Sequence, residues 1–346
     1  MSLRLKGITY DVCTFWTGGQ SSRPDFDPVI VKQDIAVIAN ELHCNAIRIS
    51  GEDIERLAVT AKYAIEQGLA VWLSPALINA DVVTLMPYLT KCAERAATLL
   101  KRGDVTFVVG CEWTIFTNGL LPGSDVNERV KRMSSPFVVP KMMLRAIARG
   151  MTGKDPRPEV TQLNHMLSQA VEAVRLVFSG KLTYAAGEWE EVDWQPFDIV
   201  SVDYYRHKQS GQAYGQKLAD YQKFDKPVAI TEFGCCTYKG ADKQGGTGWQ
   251  VVQWHNDQPQ LKKGLVRDEQ VQADYLKEQL DIFTKQDVLG AFVYTFSNPT
   301  YIYSDNPAKD LDMASYGIVK PLKAREQQLL AWQPKAAFRA LADYYK

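Results

Sequence analysis

The stretch KPVAITEFGCC, residues 226–236, carries four apolar residues in its first five and then turns to a threonine, a glutamate and a glycine. A short apolar run of this kind reads as a buried strand. A carboxylate at the end of such a strand is surface, structure or chemistry, and the rest of the chain decides which. Seven further runs of the same character recur along the sequence: LKGITYDV, NAIRIS (45–50), LAVWLSP (69–75), VTFVVGCEW (105–113), KLTYAAGEW (181–189), FDIVSVDYY (197–205) and LGAFVYTFS (289–297). Between them lie segments whose apolar positions return every three and four residues, the period of an amphipathic helix. These are 27–43, 54–68, 85–103, 159–180 and 268–286, and Gly68, Gly103 and Gly180 supply stop signals just beyond three of them.

Eight strands alternating with helices predict a parallel sheet, and eight is the number that closes a (β/α)8 TIM barrel. The near-continuous apolar runs suit strands covered on both faces. The rival is an open doubly wound sheet, whose dinucleotide version lacks its fingerprint here, since no GxGxxG follows the first strand. Without linker, low-complexity tract or short repeat beyond the β/α unit, the expectation is one α/β domain over residues 1–346. Two connections exceed simple βα loops, 114–181 after strand four and 235–267 after strand seven. Both follow strand C-terminal ends, where a barrel builds its active site.

Composition narrows the function classes. Lys+Arg and Asp+Glu balance at 40 each among 346 residues, so no charge excess argues for nucleic acid or an anionic membrane. No run of about 18 apolar residues predicts a membrane span, and the first residues do not read as a signal peptide. Six cysteines are scattered except for Cys235–Cys236, no CxxC occurs, and His43, His165, His207 and His255 lie far apart. A zinc centre is therefore not expected, and reduced thiols in the cytoplasm are.

On the barrel reading the strand ends converge on one cavity. They bring Arg48 from strand two, Glu112 from strand four, Glu188 from strand five, Tyr204 and Tyr205 from strand six, Glu232 from strand seven and Tyr294 from strand eight. Glutamates on strands four and seven face each other across the mouth. Glycosidic hydrolysis needs such a pair, one to protonate the leaving oxygen and one to attack or stabilise the anomeric carbon. A nucleophilic carboxylate must stay ionised, so it needs a cation and donors nearby. Arg48, at the end of an apolar strand, and Tyr205 are the candidates, with Tyr204 as the alternative inward tyrosine. Glu188 and Glu190 form a second carboxylate group that offers another acid or substrate contacts. Trp16, Trp113, Trp189 and Trp249 fall on the rim, where indoles stack on pyranose faces. Glu52 and Asp53 follow NAIRISG as partners of Arg48 or, preferably, as a cap for the next helix.

With these residues in view, the chain resembles the retaining glycoside hydrolase clan of barrels whose catalytic glutamates stand on strands four and seven. NAIRIS is similar to the clan's Asn-x-x-Arg strand-two signature, ITEFG to its strand-seven motif, VDYY to its strand-six Asn-x-Tyr element, and VGCEW sits where the acid/base belongs. The resemblance implies Glu232 as nucleophile, Arg48 and Tyr205 as its partners, and Glu112 as acid/base. It further implies double displacement on a carbohydrate substrate, with no metal or organic cofactor. For this route the two carboxyls stand about 5–5.5 Å apart. The clan's Asn before the acid/base, which binds the sugar 2-hydroxyl, is here Cys111, and its strand-eight Trp platform is Tyr294. Mannan-cleaving relatives with a Gly-x-Glu motif on strand four also lack that Asn, a hint toward β-mannosides. The segments GCEWTIFTNGLLPG and DLDMASYGIV also resemble bacterial proteins labelled abortive-infection proteins. The alternative is thus a non-hydrolytic carbohydrate-binding or phage-defence barrel.

Overall fold

The computed structural model describes residues 3–15, 19–133, 157–208, 211–255, 258–323 and 331–346. Eight parallel strands form the centre: β1 (Leu5–Cys13), β2 (Ala46–Gly51), β3 (Ala70–Pro75), β4 (Val105–Cys111), β5 (Lys181–Gly187), β6 (Val200–Asp203), β7 (Val228–Phe233) and β8 (Gly290–Val293). They pair in chain order and close where β8 meets β1, which is the (β/α)8 barrel expected from the sequence. Around it run α1 (Pro28–Asn40), α2 (Ile54–Glu66), α3 (Val82–Leu100), α4 (Pro158–Arg175), α5 (Gly211–Ala219), α6 (Glu269–Lys285) and α7 (Ala336–Tyr345). The chain passes from β5 to β6 through turns alone.

Aspartates start four of the helices. Asp27, Asp53, Asp81 and Asp268 each accept hydrogen bonds from backbone N–H groups of the first turn, which satisfies donors the helix itself leaves unpaired. Asp53, accepting from Glu55 and Arg56 N–H at 3.0 and 2.9 Å, is therefore the cap of α2 rather than a partner of Arg48.

Side-chain alternation along each strand separates two apolar layers. Ile47, Ile49, Val71, Leu73, Phe107 and Val109 belong to the large core shared with the helices. Ala46, Trp72, Val108, Ala185, Ile199, Ala229 and Phe292 form a separate cluster that plugs the barrel. Gly7 makes room for that plug, because a Cβ there would stand 2.4 Å from the Phe292 ring. Two residues beyond the plug the same alternation delivers polar groups, Arg48 on β2 and Ser74 on β3, at the C-terminal mouth.

Three strands carry an extra residue, β1 between Asp11 and Cys13, β4 and β7, and the last two position the glutamates of interest. Val202 and Asp203 of β6 pair with Ile230 and Glu232, so β7 holds one extra residue there. Val108 and Cys111 of β4 pair with Thr183 and Ala185, again one residue more than the partner strand. Such bulges bend a strand and re-aim the side chains that follow. In β7 the bulge brings Glu232 opposite Asp203; in β4 it brings Cys111 against the plug.

The two long connections differ in make-up. After β4 come a single helical turn (Trp113–Phe116), a short helix (Val126–Met133) and α4. After β7 come two 3-10 turns (Ala241–Lys243 and Gly245–Val251) and an antiparallel ribbon of Val252–His255 with Gln258–Leu261. Among the described residues no helix is long and apolar enough to cross a membrane.

Candidate active site

Arg48 is 1% exposed, and a guanidinium that deep must find anions and acceptors. Its Nη1 donates to Glu232 Oε1 at 2.6 Å and to the Thr231 carbonyl at 3.3 Å, and its Nε donates to Ser74 Oγ at 3.2 Å. Burial works against the charge on Arg48, but Glu232 and its acidic neighbours outweigh it and hold the pKa above the usual range. Tyr205 donates its phenol to the other oxygen, Glu232 Oε2, at 3.0 Å. Burial and the Glu232 charge push the Tyr205 pKa up, so it stays a donor. Tyr204 takes no part. It turns away from the barrel, where it and Tyr214 each donate a hydroxyl to the other's carbonyl at 2.7 Å.

Glu112 follows β4 in a left-handed backbone conformation, φ 42° and ψ 48°, and opens the Trp113–Phe116 turn. Burial, then the charges of Asp203, Glu232 and Glu190, drive its pKa well above the carboxylate range against the pull of Arg48. The surroundings of Glu112 therefore favour its protonated form. A buried acceptor on the far side fastens its turn. Glu190 accepts from Thr114 N at 2.9 Å, Thr114 Oγ1 at 2.7 Å, Tyr184 Oη at 2.9 Å and Gly187 N at 3.0 Å. Tyr184 Oη in turn accepts from Trp113 N at 2.6 Å.

Trp113 requires a correction. It is 3% exposed and sits in the core, edge-on to Tyr184 with ring centroids 5.7 Å apart, so it offers no face to a ligand. The indole folds back over β4, where a Cβ on Gly110 would lie 2.0 Å from Trp113 Nε1. Glu188 is likewise drawn elsewhere: it lies just beyond β5, ion-paired at 3.2 Å to Lys217 of α5. Burial raises its pKa and Lys217 opposes the rise.

Asp203, which sequence reasoning passed over, completes the centre. It ends β6, is 2% exposed, and its Cα pairs with that of Glu232. The signal was present, because VDYY taken as Asn-x-Tyr puts Asp203 in the Asn place. Cys111 donates its thiol to Asp203 Oδ2 at 3.3 Å and stands 4.0 Å from Glu232 Oε1. Burial and the two neighbouring carboxylates raise its pKa, which keeps it a thiol. Cys111, Asp203 and Glu232 offer ligand atoms within 4.8 Å of one another, a spacing that suits a cation. The cation there is Arg48, already bonded to Glu232.

Tyr294 sits half-buried beyond β8 with its ring 5.9 Å from Tyr316, and the Tyr294–Thr295 peptide is cis. Trp189 is 41% exposed and donates Nε1 to Thr114 Oγ1 at 2.9 Å, next to the Glu112 turn. Trp249 is 38% exposed on the long connection after β7. Trp254, not singled out in the sequence, is the most exposed indole among the described residues, on the ribbon that follows. Trp16 lies outside the described residues.

No protein-family model matches the chain, and no curated protein does. Solved structures do. The whole chain superposes on 99% of a GH113 β-1,4-mannanase solved as a complex, at TM-score 0.61 and 16% identity. It covers 97% of a glycoside hydrolase family 5 enzyme from Prevotella bryantii B14, over 99% of its own length, at TM-score 0.52 and 14% identity. For Thermotoga maritima Cel5A in complex with mannotriose, 90% of this chain covers 97% of that one, at TM-score 0.51 and 12% identity. What the chain has in common with these glycoside hydrolases is the fold, a closed (β/α)8 barrel.

Proposed function

We propose that the protein is a retaining glycoside hydrolase, with Glu232 as nucleophile and Glu112 as acid/base. One observation carries this reading: of the carboxyls at the barrel mouth, Glu232 alone holds both the Arg48 guanidinium and the Tyr205 phenol, while burial and neighbouring carboxylates push the Glu112 pKa up. The environments of the two glutamates divide the roles between them. In the first step Glu232 attacks the anomeric carbon as the glycosidic bond breaks, and the Glu112 proton goes to the departing oxygen. Esterified Glu232 then carries no charge, so the anionic Glu112 can take a proton from water. The hydroxide attacks the anomeric carbon and returns Glu232 to its anionic form. Arg48 and Tyr205 hold the nucleophile in place and stabilise it as a leaving group in the second step.

The similar fold of a β-1,4-mannanase and the Gly-x-Glu spacing of Gly110–Glu112 support a β-mannoside as the first substrate to test. Cys235 and Cys236 reach toward separate carbonyls, Val271 and Ala314, which supports thiols in a reducing cytoplasm. The test is a panel of aryl β-glycosides, mannosides first, with product stereochemistry followed by NMR. Retained configuration is expected, and Glu232→Gln is expected to reduce turnover by about 10⁴-fold or more. Unchanged turnover in a folded Glu232→Gln chain refutes the assignment.

A further inference from the structure

Two carboxyls, Asp203 and Glu232, lie side by side on β6 and β7 and share one base. Among the described residues Arg48 is the cation within 4.0 Å of either. Its Nη1 is 2.6 Å from Glu232 Oε1 and 4.0 Å from Asp203 Oδ1, so the guanidinium is committed to Glu232. Asp203 is left with little. Its Oδ1 is buried without a hydrogen-bond partner, and its Oδ2 has the thiol of Cys111, a weak donor. An anion in that setting would be buried and uncompensated.

We propose that Asp203 is a positioning residue for the nucleophile: as a neutral acid it leaves Arg48 to Glu232, and as an anion it competes for that cation. The proposal rests on the reading of Glu232 as nucleophile. Burial and the Glu232 charge push the Asp203 pKa up to about 8 despite Arg48. The groups facing it from the surrounding elements are Arg48 of β2, Cys111 and Glu112 at the end of β4, Glu232 and the Thr231 hydroxyl of β7, which together with Cys111 holds the carboxyl down a little, and the phenol of Tyr205, while its lateral neighbour on β5, Gly187, is uncharged. When Asp203 releases its proton to solvent, two anions divide one guanidinium. In the free enzyme this loosens the hold of Arg48 on Glu232 and leaves the nucleophile less well placed for its attack. The free enzyme thereby gains an alkaline limb in kcat/KM to which Asp203 contributes.

Asp203→Asn fixes the neutral form at every pH with almost no change in size. At pH 9 about one-tenth of wild-type Asp203 remains protonated. The ratio of kcat/KM at pH 9 to kcat/KM at pH 6 is therefore expected to rise about tenfold in the variant, whatever its absolute rate. Equal ratios in the two proteins overturn the proposal. A second measurement needs neither turnover nor the Asp203→Asn variant. In ¹³C-Asp-labelled resting wild type, one carboxyl resonance should titrate well above the ordinary range, and Glu232→Gln should move it to lower pH. If every aspartate titrates in the ordinary range, or the raised one ignores Glu232→Gln, the proposal fails even in an active glycosidase. If the titration is as expected and no glycoside is cleaved, the functional reading fails and the Asp203–Glu232 coupling stands.

Discussion

Replacing Arg48 with methionine removes the positive charge from the centre while nearly preserving volume. What remains is a pair of buried carboxyls, Glu232 and Asp203, with no cation within 4.0 Å among the described residues. Breaking a buried ion pair by deleting one partner costs about 3–5 kcal/mol. Unfolding entropy of roughly 2.1 cal/mol/K per residue over this chain gives about 0.7 kcal/mol for each degree, so the melting temperature should fall by about 4–7 °C. The loss should depend on pH, and its sign follows from linkage. The uncompensated carboxyls of the folded variant hold protons that the unfolded chain releases above about pH 4. A folded-state pKa raised in this way contributes stability that is complete below the unfolded value and disappears as pH rises through the folded one. The gap between wild type and Arg48→Met should therefore be small near pH 4 and widen toward pH 8. Melts followed by circular dichroism in matched ionic strength measure it, with Arg48→Lys as the control that keeps the charge and loses the fork. A gap that stays constant across that range, or below about 1 °C throughout, refutes the claim that Arg48 is the counter-charge of this pair.

Two further outcomes follow from the surroundings of the pair. Glu190→Gln presents an amide N–H₂ to donors that Glu190 now accepts from, so the Glu112 turn should loosen at a cost of about 1–3 kcal/mol. If that turn holds the acid, kcat/KM should fall more for aryl glycosides with poor leaving groups than for activated ones; equal losses would mean Glu190 does not act through Glu112. Trp254→Ala should leave kcat/KM unchanged for aryl monoglycosides and lower it about 2–10-fold for oligosaccharides, as expected for one lost stacking contact. Equal behaviour on both substrates would remove the ribbon from the substrate cleft.

The barrel was legible because strands covered on both faces must be apolar almost throughout, and eight such runs separated by helical periods leave few other closures. Strand ends were not. The runs read as continuing to Trp189, Tyr205 and Ser297, whereas β5, β6 and β8 stop at Gly187, Asp203 and Val293. Residues that line a mouth still alternate with apolar ones, so pattern alone does not mark where pairing ends. Alternation also misleads at the bulges: counted from Ala229, Thr231 would share the inward face and Glu232 would point out. One extra residue in β7 reverses that, and no local composition announces it. Trp113 was read as a rim aromatic because it follows the strand, and the glycine that lets it fold back, Gly110, has meaning only once the indole is seen against it.

The charge count separates the surroundings of the two glutamates at the barrel mouth. Glu112, Asp203 and Glu232 are three carboxyls around one guanidinium, and burial penalises every charge left without a partner. The single cation can therefore keep one carboxylate charged, and the geometry selects which. Arg48, held at its Nε by Ser74 and at Nη1 by the Thr231 carbonyl, is aimed at Glu232 by contacts that involve neither rival carboxyl. On the proposed reading, the fixed aim of one arginine distinguishes nucleophile from acid. Closing the 4.0 Å between the cation and Asp203 to a bonded contact would exchange the roles of the β6 and β7 carboxyls.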